Sequence, residues 1–211
     1  MVRQRLDLFG KNLVHGTVEL HGSAVMEVEI PPTDAMRLDL WFVPDVAKRR
    51  SAPVFTGALR AITSEPTVIE IWSDTVDKRE FHDSFYKRHA WLRVLEMREK
   101  RALPIPWLWH ICAGKPQSVA DGFDFRQIDG LSGCYTTATR DWHVSIVVVG
   151  ELPKTRDTVL LRLLGHPPVR RQALREIDAM PDDAWEKDLA TGWVRRVQFD
   201  LHDPNRCRMG S

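Results

Sequence analysis

The sequence has almost no net charge and few cysteines. Its 30 Lys and Arg residues against 29 Asp and Glu residues leave a formal charge of +1 over 211 residues, so the chain as a whole has no electrostatic attraction to nucleic acid or to an anionic membrane. Its three cysteines, Cys112, Cys134 and Cys207, show no C-x-x-C spacing, which argues against a disulfide framework and a zinc ribbon. The composition therefore favours a reducing compartment, and any nucleic-acid site must be a local patch.

Long apolar runs are also missing. The N-terminal residues contain no uninterrupted apolar segment of the roughly 7–15 residues that a secretory signal needs. The longest apolar run, residues 144–149 with Ser145 inside it, is far shorter than the roughly 20 residues that span a bilayer. Because 43% hydrophobic and 28% charged residues are typical of globular chains, we expect a folded cytoplasmic protein without a membrane segment.

Strand patterns dominate the first half of the chain. Residues 25–30 (V-M-E-V-E-I) alternate between apolar and acidic side chains, which predicts a strand. Residues 37–43 predict a second strand that pairs with the first as a hairpin, and the β-branched stretch 67–72 predicts a third. Between these strands, the basic residues 46–53 have the character of a loop, and residues 54–62 have the apolar spacing of a short helix.

The middle of the chain predicts one long helix and three further strands. Residues 77–101 contain no Gly or Pro and repeat apolar side chains on one side, which predicts the longest helix. An aromatic strand is expected at 107–113, followed by residues 115–133 as mostly loop with a short strand around Phe125. Residues 134–139 and 142–149 predict another hairpin, and its second strand should be central because it is almost wholly apolar.

The last third of the chain is predicted to be mainly helical. We expect helices at 157–164, with Thr155 as N-cap, at 169–179, and from 182 to about 189, and an edge strand at 193–201. The whole pattern predicts an α/β fold with a central mixed β-sheet flanked by helices. It forms one domain over residues 1–201, with a helical C-terminal part from about 155, and residues 202–211 form a frayed tail.

Three residues form the most informative candidate site. Asp39 lies on the second predicted strand, Glu70 on the third, and Lys87 on the long helix that follows. Two carboxylates at neighbouring strand ends can hold a divalent cation such as Mg²⁺ through oxygen ligands, and a nearby lysine can orient the attacking water or stabilise charge on phosphorus. The trio therefore indicates metal-dependent phosphodiester cleavage. The alternative is that both carboxylates simply lie on the solvent-facing sides of strands.

The sequence order around these residues resembles a nuclease family. R-L-D-L at 37–40, I-E-I-W at 69–72 and K-R-H-A-W at 87–91 resemble the PD-(D/E)XK superfamily, particularly bacterial proteins related to the recombination-promoting nuclease and transposase group. V-L-L-R-L-L-G at 159–165 and V-R-R-Q-A-L-R-E-I at 169–177 extend the resemblance to roughly residues 8–182. The resemblance implies a restriction-endonuclease-like core, DNA as the substrate and Mg²⁺ as the cofactor.

The resemblance also assigns roles to residues and shows one departure. Asp39 matches the family's strand aspartate, and Glu70 matches the acidic residue of its D/E-x-K element. Two positions later the family pattern has lysine where this chain has Trp72. Some members place the lysine on the next helix, which nominates Lys87. Two functions stay open: a metal-dependent DNA nuclease, or a catalytically inactive relative that serves as an interaction or scaffold module with a protein partner or a second copy.

Other polar residues offer weaker candidates. Glu27 and Glu29 could supply a further metal ligand or form the wet face of a strand, and no histidines have metal-binding spacing. A local basic patch on the C-terminal helices could bind DNA phosphates, although neighbouring acidic residues also fit a solvated helix of mixed charge. The basic residues of this patch are Lys154, Arg156, Arg162, Arg170, Arg171 and Arg175.

Overall fold

The computed structural model describes residues 36–197, and the elements below belong to the compact unit that begins at Arg37. The strand predicted at 25–30, its hairpin with 37–43, and the tail at 202–211 lie outside the described residues. None of the helices in the described part of the chain combines the length and the apolar composition that a membrane crossing needs.

A six-stranded mixed β-sheet forms the centre of the fold. Its strands are β1 (Leu40–Phe42), β2 (Thr67–Trp72), β3 (Trp107–Cys112), β4 (Phe125–Gln127), β5 (Cys134–Thr137) and β6 (Val144–Val148). The strand order is β1-β2-β3-β6-β5-β4. Strands β2, β3 and β6 are parallel to one another, while β1, β5 and β4 are antiparallel to their neighbours. The predicted α/β class and the central position of β6 are thus confirmed.

Seven α-helices flank the sheet in the described part of the chain. They are α1 (Val46–Ser51), α2 (Gly57–Ile62), α3 (Lys78–Glu99), α4 (Gln117–Gly122), α5 (Val159–Arg162), α6 (Pro167–Asp178) and α7 (Trp185–Val197). The long helix α3 begins with a capping box, in which Asp77 accepts a hydrogen bond from the Glu80 amide and Glu80 accepts one from the Asp77 amide. It ends at Lys100, which adopts a left-handed conformation with φ of 53°.

The register of the sheet sets which side chains meet α3. Because successive side chains of a strand point to opposite faces, Val68, Glu70 and Trp72 share one face of β2. Glu70 lies directly opposite His110 of β3. The apolar residues of this face form a buried cluster with Phe81 of α3, and Phe85 and Trp91 of the same helix pack against it. The same face therefore carries the hydrophobic core under α3 and the polar residues of the candidate site.

Phe81 is the centre of the core beneath α3. Its side chain is completely buried, and its ring contacts four other aromatic rings at centroid distances of 4.7–5.9 Å. These rings belong to Phe85, His110, Phe123 and Phe125. A second core lies on the opposite face, where Ile62 of α2 and Leu161 of α5 join one cluster with Ile69, Trp109 and Val147 of the sheet.

Two segments predicted as loops contain short helices. Residues 46–53 were expected to be a loop, but α1 forms there because Asp45 accepts hydrogen bonds from the amides of Ala47 and Lys48. The basic side chains indicated a loop, whereas the N-cap favours a helix. The region 115–133 contains α4 as well as the expected short strand at Phe125. Thr155 lies at the predicted N-cap position, yet its hydroxyl donates to Asp157 instead of capping a backbone amide.

The predicted edge strand at 193–201 is wrong as far as Val197. A single helix, α7, runs from Trp185 to Val197. It confirms the helix predicted at 182–189 over residues 185–189 and continues through the first part of the predicted strand. Ala190 of α7 is buried against Val159 and Ala173 of the neighbouring helices. This packing stabilises the helical conformation through a stretch whose short apolar alternation resembles a strand. Residues beyond 197 lie outside the description. Other element boundaries differ from the predictions by a few residues.

We predict that Phe81→Ala lowers the free energy of unfolding by about 3–5 kcal/mol, because it leaves a cavity beneath α3. Denaturant unfolding with an unchanged m-value measures the effect. Met97→Ala on the same helix is the control, since Met97 is 76% exposed, and should change the free energy by no more than about 0.5 kcal/mol. A loss of less than about 1 kcal/mol for Phe81→Ala would contradict this role.

Candidate active site

A buried ion pair joins the sheet to the long helix. Glu70 lies on β2 with its side chain 2% exposed, and Lys87 lies on α3 with its side chain 23% exposed. The Lys87 Nζ donates a hydrogen bond to Glu70 Oε2 at 2.8 Å. Two of the three predicted site residues are therefore in direct contact. Lys87 lies one turn after Ser84 on the helix, which directs both side chains toward the sheet.

The second oxygen of Glu70 lacks a partner. Glu70 Oε1 is closed to solvent and accepts no hydrogen bond, although a buried carboxylate oxygen normally has at least one donor. Burial raises the pKa of Glu70, the Lys87 ammonium lowers it, the negative charge of Asp39 raises it, and a weaker interaction with the backbone amide of Asp39 lowers it. The site thus holds an acceptor that a further donor or a cation could satisfy.

Asp39 lies immediately before β1 and is exposed to solvent. Its Oδ2 accepts a hydrogen bond of 2.8 Å from the backbone amide of Ile71, the residue after Glu70. The Asp39 carboxylate therefore extends the pairing of β1 with β2 beyond the last paired residues. Among the described residues, no donor binds its other oxygen. The fold places all three predicted residues around Glu70 and Ile71 of β2.

A chain of hydrogen bonds crosses the same face of the sheet. The Trp72 indole Nε1 donates to His110 Nδ1 at 3.0 Å, and the two rings stack with an interplanar angle of 20°. His110 Nε2 lies 3.2 Å from Ser84 Oγ, and Ser84 Oγ donates to the Phe81 carbonyl at 2.6 Å. Trp72 thus lies at the expected lysine position but serves as a hydrogen-bond donor to a buried histidine.

His110 is a neutral, fully buried imidazole. Burial, together with the positive charges of Lys87 and Arg88, lowers the pKa of His110 to about 3. Both ring nitrogens face protein partners, so His110 has no free nitrogen for a metal. Sequence reasoning missed this role. The available clue was a single histidine inside the otherwise apolar strand W-L-W-H-I-C, because a polar residue there requires hydrogen-bond partners.

Arg88 is a second residue that sequence reasoning missed. Its side chain is buried on α3, and its Nη1 donates to the carbonyls of Trp142 and His143, each at 3.0 Å. Burial lowers the pKa of Arg88 to about 10, so the group is still charged at neutral pH. Arg88 ties α3 to the chain just before β6, which fixes the helix that carries Lys87.

The carboxylate oxygens of the candidate site are ligands of the chemical type that a hard divalent cation prefers. Among residues 36–197, no group of three or more His, Cys, Asp and Glu side chains could hold a metal ion. Mg²⁺, however, is commonly held by one or two carboxylates, with waters and substrate phosphates as its other ligands. Asp39 and the unpartnered oxygen of Glu70 supply that number of carboxylates. Glu27 and Glu29 lie outside the described residues.

The basic patch expected on the C-terminal helices is partly used inside the fold. Arg162 is buried and pairs with Glu176, while Arg156 makes a bidentate pair with Glu186 at 2.7 and 2.9 Å. Arg170 donates to the backbone carbonyls of Leu163 and Gly165. The exposed basic residues of the patch are Lys154, Arg156, Arg171 and Arg175, of which Arg156 is the one paired with Glu186.

Comparisons with known proteins identify no relative of this chain. No protein-family model matches it, and neither the curated proteins nor the solved structures give a significant match. The candidate function therefore depends on the geometry of the site and on the resemblance in its motifs.

We predict that Glu70→Gln raises the free energy of unfolding at neutral pH. The raised pKa of Glu70 means that its ionised form is less favourable in the fold than in the unfolded chain, so Glu70 contributes stability below its unfolded pKa that is lost as pH rises through the folded pKa. An uncharged isostere removes that cost, and Lys87 can hydrate because it is partly exposed. The advantage of glutamine should shrink as the pH falls and wild-type Glu70 becomes protonated.

Chemical unfolding at about pH 7 and about pH 5 tests this expectation. Asp124→Asn is the control, because its pair with Arg126 is exposed on both sides, and should change the free energy by no more than about 0.5 kcal/mol. A loss of about 3–5 kcal/mol for Glu70→Gln at neutral pH would instead mean that the ion pair is net stabilising.

Proposed function

We propose that this protein is a metal-dependent phosphodiesterase with a restriction-endonuclease-like core that acts on DNA. The observation that carries the proposal is that two acidic residues and one basic residue from separate elements lie around Glu70 and Ile71 of β2. Lys87 binds Glu70 directly, and Asp39 binds the amide that follows Glu70. These are the acidic, acidic and basic groups that metal-assisted phosphodiester cleavage uses.

The order of elements around the site supports the proposed core. Strand β1 pairs antiparallel with β2, helix α3 follows, and β3 returns parallel to β2. This is the strand, strand, helix pattern that the resemblance implies, with Asp39 beside the first strand, Glu70 on the second and Lys87 on the helix. Cys112 and Cys134 are free and buried, which agrees with the proposed cytoplasmic, reducing location.

Each residue has a distinct proposed role. Asp39 and Glu70 would hold Mg²⁺, which when bound polarises a phosphoryl oxygen and activates a water molecule. Lys87 keeps a positive charge beside Glu70 and extends partly into solvent, where it can contact a substrate phosphate. Asp39 is exposed and presents its carboxylate to the incoming substrate. Because the net charge is only +1, binding of DNA requires local contacts near this site.

The burial of the Glu70 side chain favours a second candidate function. Its side chain is 2% exposed and paired with Lys87, and the Trp72 indole that replaces the expected lysine is bound to His110. In this alternative the protein is a catalytically inactive nuclease-like fold that works as an interaction or scaffold module. The ion pair then only attaches α3 to the sheet. The nuclease function, by contrast, requires Glu70 Oε1 to become accessible to the cation.

Calorimetric titration with Mg²⁺ or Mn²⁺, combined with plasmid cleavage in the same buffers, separates the two functions. We predict that the wild type binds the metal and nicks the plasmid, and that Asp39→Asn and Glu70→Gln each weaken metal binding at least about tenfold, because each removes a charged ligand. Asp129→Asn, an exposed carboxylate on a loop, is the control and should behave as the wild type. Well-folded wild type that neither binds metal nor cleaves DNA would contradict the nuclease proposal and favour the scaffold.

A further inference from the structure

We propose that Trp72, His110 and Ser84 form a positioning chain that fixes α3 on the sheet and holds Lys87 against Glu70. Its contribution to catalysis rests on the function proposed above, whereas the hydrogen bonds themselves do not. The chain begins at the position where the resemblance calls for lysine. In this chain tryptophan occupies position 72 and has a different role there. The basic group of the candidate site is Lys87 on α3.

The chemistry of the donors fixes the direction of every hydrogen bond in the chain. An indole N–H can only donate, so Nδ1 of His110 must be the acceptor of the Trp72 hydrogen bond. The neutral imidazole then carries its proton on Nε2, which donates to Ser84 Oγ. The Ser84 hydroxyl in turn donates to the Phe81 carbonyl. The indole N–H at one end and the Phe81 carbonyl at the other therefore favour the same direction along the chain.

The positions of the three residues connect the chain to the ion pair. His110 lies directly opposite Glu70 on the neighbouring strand, and Trp72 follows Glu70 by two residues on the same face of β2. Ser84 precedes Lys87 by three residues on α3, so both lie on the side of the helix that faces the sheet. The chain thus links β2, β3 and α3 within one turn of the contact between Lys87 and Glu70.

A lysine could not replace Trp72 in this arrangement. Its ammonium group would add a third cation near His110, whose surroundings already include Lys87 and Arg88. It would also lose the ring that stacks on the imidazole. The residue at position 72 can therefore either donate a hydrogen bond to His110 or supply the basic group of the site. In this chain Lys87 supplies the basic group.

Trp72→Phe tests the chain because it keeps an aromatic ring and removes the donor N–H. The matched control is Trp91→Phe, since Trp91 lies in the same core and its indole nitrogen has no hydrogen-bond partner. Nitrogen NMR of the histidine side chains reports the tautomer of His110, and the ammonium resonance of Lys87, assigned with Lys87→Arg, reports the ion pair.

We expect the wild type to show the Nε2-protonated tautomer and a Lys87 ammonium that exchanges slowly with water. In Trp72→Phe the tautomer should become mixed and the exchange of Lys87 about 2- to 10-fold faster, as expected for loss of one hydrogen bond. Ser84→Ala, which breaks the other end, should give the same faster exchange of Lys87 and provides this readout if Trp72→Phe fails to fold, while its His110 should stay Nε2-protonated because the Trp72 N–H is retained. Trp91→Phe should leave both signals unchanged.

Two results would overturn the inference. An Nδ1-protonated His110 in the wild type would exclude the chain itself, and equal Lys87 exchange in Trp72→Phe, Ser84→Ala and Trp91→Phe would exclude its positioning role. Both readouts are independent of cleavage. Absence of metal binding in the wild type with the expected NMR changes would therefore contradict the nuclease proposal and leave the positioning chain supported.

Discussion

The ion pair between Glu70 and Lys87 is the interaction on which the arrangement of the site depends. A carboxylate in the middle of a buried strand is costly unless a charge or several hydrogen bonds compensate it. Lys87 is the cation that does so, at 2.8 Å, and it can reach Glu70 only if α3 lies at one position on the sheet. The placement of the longest helix is therefore coupled to one charged contact.

Several other features of the fold serve this placement. Phe81 packs α3 onto the apolar part of the sheet, Arg88 binds backbone carbonyls before β6, and His110 connects two strands to the helix. Even so, burial keeps the pKa of Glu70 raised, and one of its oxygens has no partner. Proteins commonly retain such unfavourable groups where function requires them. The oxygen of Glu70 without a partner is thus the feature that the proposed metal site would explain.

Much of the fold could be predicted from local patterns, because period, length and turn residues are local properties. The apolar run of β6, the uninterrupted stripe of α3 and the hairpin of β5 with β6 are examples. Helix α1 and the C-terminal half of α7 were missed, since one depends on a single N-cap and the other on packing against distant helices. In the candidate site, chemistry and the family resemblance nominated Glu70 and Lys87, which the fold places in contact. The roles of His110 and Arg88 were not, because they arise from strand register and from partners far away in the chain.

The most direct test of the account is a double-mutant cycle with Glu70→Gln and Lys87→Met, followed by chemical unfolding of the wild type, both single variants and the double variant. We predict that the effects of the two substitutions on the free energy of unfolding are strongly non-additive. The coupling free energy should be about 1–3 kcal/mol, because each residue is the other's partner in a buried contact. Additivity within about 0.5 kcal/mol would mean that the contact does not hold α3 in place, and it would contradict the central role given to this pair.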